Sequence, residues 1–282
     1  MPEPISAAAV DQAAGLRRLF GAQTAHVVAF VSGREACGRT TLLVRTAAAL
    51  ARAGQGVILI DENSGPNNAL STLGIKARHD LLDVVQSDYP LDRVMQPAGP
   101  LLNVIAAAKL AAALDHVDAL PTGRLDAALK HLQEGSAFVL VDCVARNGRH
   151  LSPLALAVPH MVVVVAAQGA AITQAYALIK RLVRERGREG FHVAITRART
   201  GQEAEAIFHN MRHTAREHLG VHLDYLGGVR EPAVEHLADT LQHSLLRAAG
   251  ERDWHGFEPL AHRAAPAIAG GRQGLKPLES VV

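Results

Sequence analysis

The sequence lacks the features that mark secreted, membrane-spanning and strongly basic proteins. It has 2 cysteines in 282 residues, Cys37 and Cys143, too few for a disulfide framework, which predicts a reduced cytosolic protein. Its apolar runs fall far short of the roughly 20 residues that cross a bilayer, and residues 1–12 show neither the basic start nor the apolar segment of a signal peptide. The formal net charge of +2 gives no electrostatic reason to expect nucleic acid as a partner.

Aromatic residues are also scarce, at 4%, so Ala, Val and Leu must fill the core of a chain that is 49% hydrophobic. Short β-branched segments recur that are mostly apolar throughout, which is typical of strands buried on both faces of a parallel sheet. We predict strands at residues 26–31, 57–60, 102–106, 137–141, 161–166 and 191–195. Ala- and Leu-rich helical segments lie between strands, notably at residues 40–53, 124–133, 172–186 and 203–218. This alternation predicts an α/β fold, a doubly wound, mostly parallel sheet with helices on both faces.

A glycine-containing loop, Ser-Gly-Arg-Glu-Ala-Cys-Gly-Arg-Thr-Thr over residues 32–41, joins the first predicted strand to the first predicted helix. In this context, backbone N–H groups and the positive end of the helix dipole favour a bound phosphate. Thr40 is placed where a hydroxyl would hold Mg²⁺. The Gly-x-x-x-x-Gly-Lys-[Ser/Thr] pattern fails at its lysine, so the loop alone is equally consistent with an ordinary βα turn with a threonine cap.

Three further segments relate this loop to a known family. Residues 61–68 are Asp-Glu-Asn-Ser-Gly-Pro-Asn-Asn, the strand before Cys143 ends at Asp142, and residues 172–180 are Ile-Thr-Gln-Ala-Tyr-Ala-Leu-Ile-Lys. Residues 34–41 resemble the deviant Walker A motif of MinD/ParA P-loop ATPases. Residues 61–68 resemble the Asp-x-Asp-x-Gly-x-x-Asn motif of the same family, and the strand that ends at Asp142 resembles its Walker B motif. Residues 172–180 resemble one branch, the flagellar-number regulators of the FlhG/FleN type. The resemblance covers roughly residues 11–247 and implies the fold of that family.

The resemblance implies a site for ATP or ADP with Mg²⁺. The residues implied in nucleotide binding are Gly33, Arg34, Gly38, Arg39, Thr40, Thr41, Thr196 and Arg197. The implied magnesium ligands, direct or through water, are Thr40, Asp61 and Asp142. Arg34 stands where the family's signature lysine reaches the nucleotide of a dimer partner, and Thr196 where an asparagine often contacts adenine. In that family ATP drives homodimer formation and hydrolysis ends it.

Departures from the family motifs predict that ATP binding and hydrolysis are weak or lost. Arg39 replaces the lysine that contacts the β- and γ-phosphates, and arginine is longer and planar. Glu35 and Ala36 replace two glycines, which adds a Cβ where such loops use positive φ and a negative charge near the phosphates. Asn63 replaces the aspartate that positions the attacking water, and an amide cannot accept its proton. Of the two catalytic candidates, Asn63 and Asp61, only Asp61 has a carboxylate, so an active ATPase would depend on Asp61.

Residues 11–20, Asp-Gln-Ala-Ala-Gly-Leu-Arg-Arg-Leu-Phe, predict a short helix before the first strand. Asp11 is a suitable N-cap, but about ten residues with a glycine form a marginal helix on their own. The segment resembles the Asp-Gln-Ala-x-x-Leu-Arg motif of flagellar-number regulators. The resemblance implies docking on the flagellar GTPase of the signal-recognition-particle type (FlhF-like) and stimulation of its GTP hydrolysis. The implied partner-binding residues are Asp11, Gln12, Ala13, Leu16 and Arg17; a helix packed on its own domain is the alternative.

These assignments divide the chain into a leader with the partner-binding helix at 1–22, a MinD/ParA-like domain at 23–249 and a flexible tail at 250–282. The predicted function is regulation of flagellar number or placement, in the cytoplasm or peripherally at the inner membrane or cell pole. A second flagellar regulator or a basal-body protein is a further expected partner. Residues 233–249 are amphipathic, but their polar face lacks the basic residues that favour anionic lipid, so membrane contact stays open. The alternatives are an active ATPase that switches by ATP-driven dimerisation, and a cargo-positioning or cellulose-secretion relative.

Among 15 histidines, His209 and His213 lie four residues apart on a predicted helix, followed by His218 and His222. Such a pair can bind Zn²⁺, but a zinc site needs a third or fourth ligand in a shielded pocket. A solvated helix face is the interpretation that we prefer.

Overall fold

The computed structural model describes residues 25–87, 89–114, 121–145 and 150–229, together with 239, 240 and 243. The strands are β1 (His26–Val31), β2 (Val57–Asp61), β3 (Gln96–Gly99), β4 (Leu102–Ala106), β5 (Phe138–Asp142), β6 (His160–Ala166), β7 (Gly190–Thr196) and β8 (His222–Val229). They form one sheet in the order β3-β4-β2-β5-β1-β6-β7-β8. Neighbouring strands are parallel except β3 and β4, which are antiparallel.

Helices cover both faces of this sheet. They are α1 (Arg39–Arg52), α2 (Ala69–Thr72), α3 (Leu81–Ser87), α4 (Leu91–Val94), α5 (Ala108–Ala113), α6 (Thr122–Glu134), α7 (Pro153–Leu156), α8 (Gly169–Arg186) and α9 (Gly201–Leu219). Alternate strand residues contribute to two separate cores, because side chains along a strand point to opposite faces. Phe30 and Leu59 pack with Leu43 of α1 in one core. Ile60 packs with residues of α6 and α8 in the other, so the predicted doubly wound, mostly parallel sheet is confirmed.

The predicted central strands agree with the structure to within one residue at each end, whereas two edge strands were not predicted. β3 has the sequence Gln-Pro-Ala-Gly, and proline is tolerated at the edge of a sheet where one side of the strand makes no ladder bonds. β8 has the sequence His-Leu-Asp-Tyr-Leu-Gly-Gly-Val, in which Asp224 and two glycines separate the large apolar residues. The predicted long helices begin one to three residues earlier in the structure than the apolar pattern indicates.

The predicted N-terminal helix and the predicted tail lie outside the described residues, as do most of residues 233–249. Within the described ranges, no helix combines the length and the hydropathy that a bilayer-spanning segment requires.

The register of the central strands brings three separate segments to one edge of the sheet. Asp61 of β2 is the Cα partner of Asp142 in β5, and Asp142 in turn is the partner of Phe30 in β1. Because these strands are parallel, their carboxyl ends meet at the same edge. The loop that follows β1 therefore lies beside both aspartates.

Histidines lie at the opposite end of the strands from these aspartates, near the amino ends of β1, β6 and β7. The rings of His160 and His192 have centroids 5.9 Å apart. Burial lowers the pKa of His26 and of His192. Burial also lowers the pKa of His160 to about 2, assisted by the charge of Arg188 and by repulsion from the protonated forms of His192 and His26. Folding therefore disfavours the protonated form of all three imidazoles.

We expect His160→Gln to reduce the loss of stability at acid pH. The folded chain keeps His160 neutral down to about pH 2, whereas the unfolded chain binds a proton below its ordinary pKa of 6.5. The free energy of unfolding therefore falls as the pH decreases through this window, by up to about 1.4 kcal/mol per pH unit for one such group. Between about pH 6 and 5, the parent should lose about 1 kcal/mol more than the variant in urea unfolding. Exposed His218→Gln is the control and should follow the parent; identical pH dependence in all three proteins would contradict the expectation.

Candidate functional site

The loop between β1 and α1 occupies residues 32–38 and turns sharply into the helix. Gly38, the N-cap of α1, has a φ of 80°. Ala36 also has a positive φ, of 58°, which is uncommon for a residue with a Cβ, whereas Glu35 does not. Of the two residues that replace family glycines, Ala36 is thus the one in a conformation that favours glycine.

Arg39, the first residue of α1, directs its guanidinium into the protein. Its Nε donates to Asp142 Oδ1 at 2.6 Å and its Nη1 to Ser32 Oγ at 3.3 Å. The Arg39 side chain is only 10% exposed, and that of Asp142 is fully buried. The second carboxylate oxygen, Asp142 Oδ2, accepts a hydrogen bond from Thr40 Oγ1 at 2.7 Å. Both oxygens of Asp142 are therefore bonded to the start of α1, one of them by a buried ion pair.

Asp61, at the end of the neighbouring strand, is equally buried. Its Oδ1 accepts the backbone N–H of Asn63 and its Oδ2 that of Leu70, each at 3.0 Å. Burial raises the pKa of Asp61 to about 6, and the negative charge of Asp142 adds to the increase, although the N–H of Leu70 and that of Asn63 oppose it. Asp61 and Asp142 are therefore neighbouring buried carboxylates that already accept hydrogen bonds from the protein.

Asn63 uses its side chain to hold the turn after β2. Its Oδ1 accepts the backbone N–H of Gly65 at 2.9 Å, which is the geometry of an Asx turn. Asn68 Nδ2 donates to the Asn63 carbonyl at 3.2 Å, and Asn68 Oδ1 caps α2 by accepting the N–H of Ser71 at 2.7 Å. The amide at position 63 is therefore engaged in the local backbone geometry.

Glu62 lies between Asp61 and Asn63, directly after β2. Its side chain is on the opposite face of the sheet from Asp61, because successive side chains along a strand alternate. It is 6% exposed. The Ser152 hydroxyl donates to Glu62 Oε1 and also accepts the N–H of Ala155, which caps α7. Glu62 therefore connects the end of β2 to α7.

Two contacts from the β6–β7 side hold the glycine loop in place. Thr196, at the end of β7, is buried and donates its hydroxyl to the Cys37 carbonyl at 2.6 Å. Gly33 lies directly against α8, since a Cβ at this position would be 2.4 Å from the backbone carbonyl of Gln174. Thr196, predicted to contact nucleotide, thus bonds to the loop backbone.

The structure gathers some of the predicted site residues and leaves others on the surface. Those brought together around the end of β1 are Gly33, Gly38, Arg39, Thr40, Asp61, Asp142 and Thr196. Arg34, Thr41 and Arg197 are exposed, and Asp11, Gln12, Ala13, Leu16 and Arg17 lie outside the described residues. Nowhere in the described ranges do three or more His, Cys, Asp or Glu side chains converge in a way that could hold a metal ion.

Sequence reasoning did not identify Ser32, the Cys37 carbonyl or Gln174 as parts of this site. Ser32 directly precedes the first loop glycine and could have been recognised by that position. The other two contacts depend on how β7 and α8 pack against the loop, for which no local sequence signal exists.

The strand order, the glycine loop after β1 and the neighbouring aspartates of β2 and β5 define a P-loop protein of the MinD/ParA class. Over 212 residues the chain is 27% identical to the antiactivator FleN of Pseudomonas aeruginosa, covering 75% of this chain and 76% of FleN. The chain therefore resembles MinD/ParA-family proteins of the FleN/FlhG type, as the sequence motifs predict. It is also 28% identical over 122 residues to the septum site-determining protein MinD of Synechocystis, covering 42% of this chain and 45% of that MinD. No family model matches the chain.

Solved structures share the fold. The cell division protein MinD of Aquifex aeolicus superposes with a TM-score of 0.59 at 19% identity, covering 81% of this chain and 98% of that one. MinD of Pyrococcus horikoshii, complexed with Mg-ADP, superposes with a TM-score of 0.52 at 19% identity, covering 77% and 86%. At these identities the likeness concerns the fold alone.

Proposed function

We propose that this protein regulates flagellar number or placement by binding other proteins, in the cytoplasm or peripherally at the inner membrane or cell pole. The similarity to FleN over about three quarters of both chains carries the proposal. FleN is named an antiactivator, and we propose that this chain likewise acts on another protein by binding it. A flagellar regulator or a basal-body protein is accordingly a candidate partner, and a homodimer is the candidate assembly.

The nucleotide site supports a role with weak or lost ATP hydrolysis. Arg39 places its charge on Asp142 at 2.6 Å, so the residues do not fit a magnesium ion beside that carboxylate while the pair is in place. Asn63 lacks a carboxylate to accept the proton of an attacking water, and its amide oxygen is bonded to Gly65. Glu62 is bonded to Ser152 on the other face of the sheet. ATP or ADP binding through the loop is proposed to be weak because the charge of Arg39 is paired with Asp142.

We further propose that residues 11–17 bind the flagellar GTPase of the signal-recognition-particle type. The motif Asp-Gln-Ala-x-x-Leu-Arg supports this, with Asp11, Gln12, Ala13, Leu16 and Arg17 at its fixed positions. We propose that this contact does not depend on ATP chemistry, because the motif is intact whereas the nucleotide-site residues depart from their motifs.

The full chain and the GTPase of the same organism test both halves of the proposal. GTP hydrolysis by the partner is measured with the parent, with Leu16→Ala/Arg17→Ala and with Arg18→Ala as the matched control. We expect the double substitution to abolish stimulation and Arg18→Ala to retain it, because Leu16 and Arg17 belong to the motif. Phosphate release from ATP by the chain alone is expected to stay at the background rate with Mg²⁺.

Two results would overturn this function. Unchanged GTPase stimulation after deletion of residues 1–20 would remove the proposed partner contact. Rapid Mg²⁺-dependent ATP hydrolysis that Asp61→Ala abolishes would favour an active ATPase that switches by ATP-driven dimerisation. Each result concerns a different part of the chain, so the two halves can fail separately.

A further inference from the structure

One face of α9 carries a row of basic side chains that the proposed function does not use. His209, Arg212, His213 and Arg216 follow the spacing i, i+3, i+4, i+7, which places them on one side of the helix. All four are exposed. With Gly220, Val221 and His222 they line a hollow of about 560 Å³ between α9 and the start of β8, which we call the α9–β8 groove.

The fold explains only part of this row. Arg216 lies in the last turn of α9, where a positive charge offsets the negative end of the helix dipole. His209, Arg212 and His213 lie farther from that end, and the face that packs on the sheet is formed by other residues, among them Phe208. The row is therefore not required for packing.

Arg212 is held in position by its neighbours. Its guanidinium lies 5.6 Å from the centroid of the Phe208 ring, and its Nη2 is 3.3 Å from His209 Nδ1. Phe208 in turn stacks on Tyr225 of β8, with ring centroids 4.7 Å apart. A charged side chain that is already ordered loses less conformational entropy when it binds an anion.

One carboxylate stands at the start of β8. Asp224 Oδ1 is 2.9 Å from His222 Nε2, and Asp224 Oδ2 is 3.8 Å from His192 Nδ1. Asp224 thus lies against His222 and His192, whereas the groove lining itself carries the permanent positive charges of Arg212 and Arg216.

We propose that the α9–β8 groove binds an extended acidic segment of a partner protein. Four residues of helix advance about 6 Å, which is the axial spacing of Arg212 and Arg216. Alternate residues of an extended chain are about 6.6 Å apart, so two carboxylates separated by one residue match the two guanidinium groups.

The shape and the charge of the groove favour a peptide over other anions. A flat bilayer surface cannot enter a concave hollow, and Leu101 on the β3–β4 hairpin is the exposed large apolar side chain of the described part of the chain, at the other edge of the sheet. Nucleic acid binding depends on many neutralised phosphates, whereas the groove offers two arginines in a chain of net charge +2.

A labelled ten-residue peptide of alternating glutamate and serine tests this proposal by fluorescence anisotropy with the full chain. We expect saturable binding that weakens with salt, and a loss of at least about tenfold in affinity for Arg212→Glu/Arg216→Glu. The control Arg78→Glu/Arg93→Glu makes the same change of charge at exposed positions near the opposite edge of the sheet, and should stay within about twofold of the parent.

Thermal unfolding of both variants checks that they are folded. Absence of saturable peptide binding at low salt, or equal losses in the two charge-reversal variants, would overturn the proposal. So would tighter binding to anionic phospholipid vesicles or to duplex DNA than to the peptide. None of these results bears on the proposed partner-binding motif at residues 11–17 or on the nucleotide site.

Discussion

Replacing Arg39 by lysine is expected to strengthen the binding of ATP with Mg²⁺ at least about tenfold, or about 1.4 kcal/mol. Arg39 bonds through Nε to Asp142 and through Nη1 to Ser32, a geometry that needs the two nitrogens of a planar guanidinium. Lysine has a single ammonium group and cannot make both contacts in the same way. We expect that ammonium to turn toward a bound phosphate and to release Asp142 for the magnesium shell.

Isothermal titration calorimetry with ATP or ADP and Mg²⁺, on the parent and on Arg39→Lys, measures this effect. Arg52→Lys, at the exposed end of the same helix, makes the same chemical change away from the loop and should leave affinity unchanged. The expectation fails if the parent already binds ATP as tightly as Arg39→Lys, since the arginine would then be compatible with bound phosphate. Hydrolysis is not expected to return with binding, because Asn63 is unchanged.

Replacing Asp142 by alanine is expected to lower the free energy of unfolding by about 3 kcal/mol or more. The substitution leaves the Arg39 guanidinium in a site where its side chain is 10% exposed, without its carboxylate partner. It also removes the acceptor of the Thr40 hydroxyl. An unpaired buried charge costs more than the pair contributes, because its desolvation is no longer offset.

The double variant Asp142→Ala/Arg39→Met separates charge from packing. Removing both charges should recover at least half of the lost stability, measured by urea or thermal unfolding, since replacing a buried pair by apolar residues is often nearly neutral. Asp92→Ala, at an exposed position of α4, is the control and should change stability by less than about 0.5 kcal/mol. Additive losses in the double variant would show that the Arg39–Asp142 pair is not coupled as the structure indicates.

Central strands and long helices were accessible to sequence reasoning because their apolar patterns are local. β1, β2 and β5 are apolar over nearly their whole length, as both faces of a parallel strand are buried. β3 and β8 lie at the sheet edges, where burial on both faces is not required, and their compositions therefore gave no signal. The position of the loop and the nature of its substitutions were likewise evident from residue identities alone.

The sequence by itself determined the doubly wound sheet, the location of the glycine loop between β1 and α1, and the departures from the MinD/ParA motifs at positions 39 and 63. Only the tertiary structure decided which group neutralises Arg39, because its partner Asp142 is 103 residues away and meets it through strand register. It also decided that Thr196 and Gln174 hold the loop, and that the basic row of α9 lines a groove with β8. Local patterns report burial along one segment, whereas contacts between segments depend on how the sheet assembles.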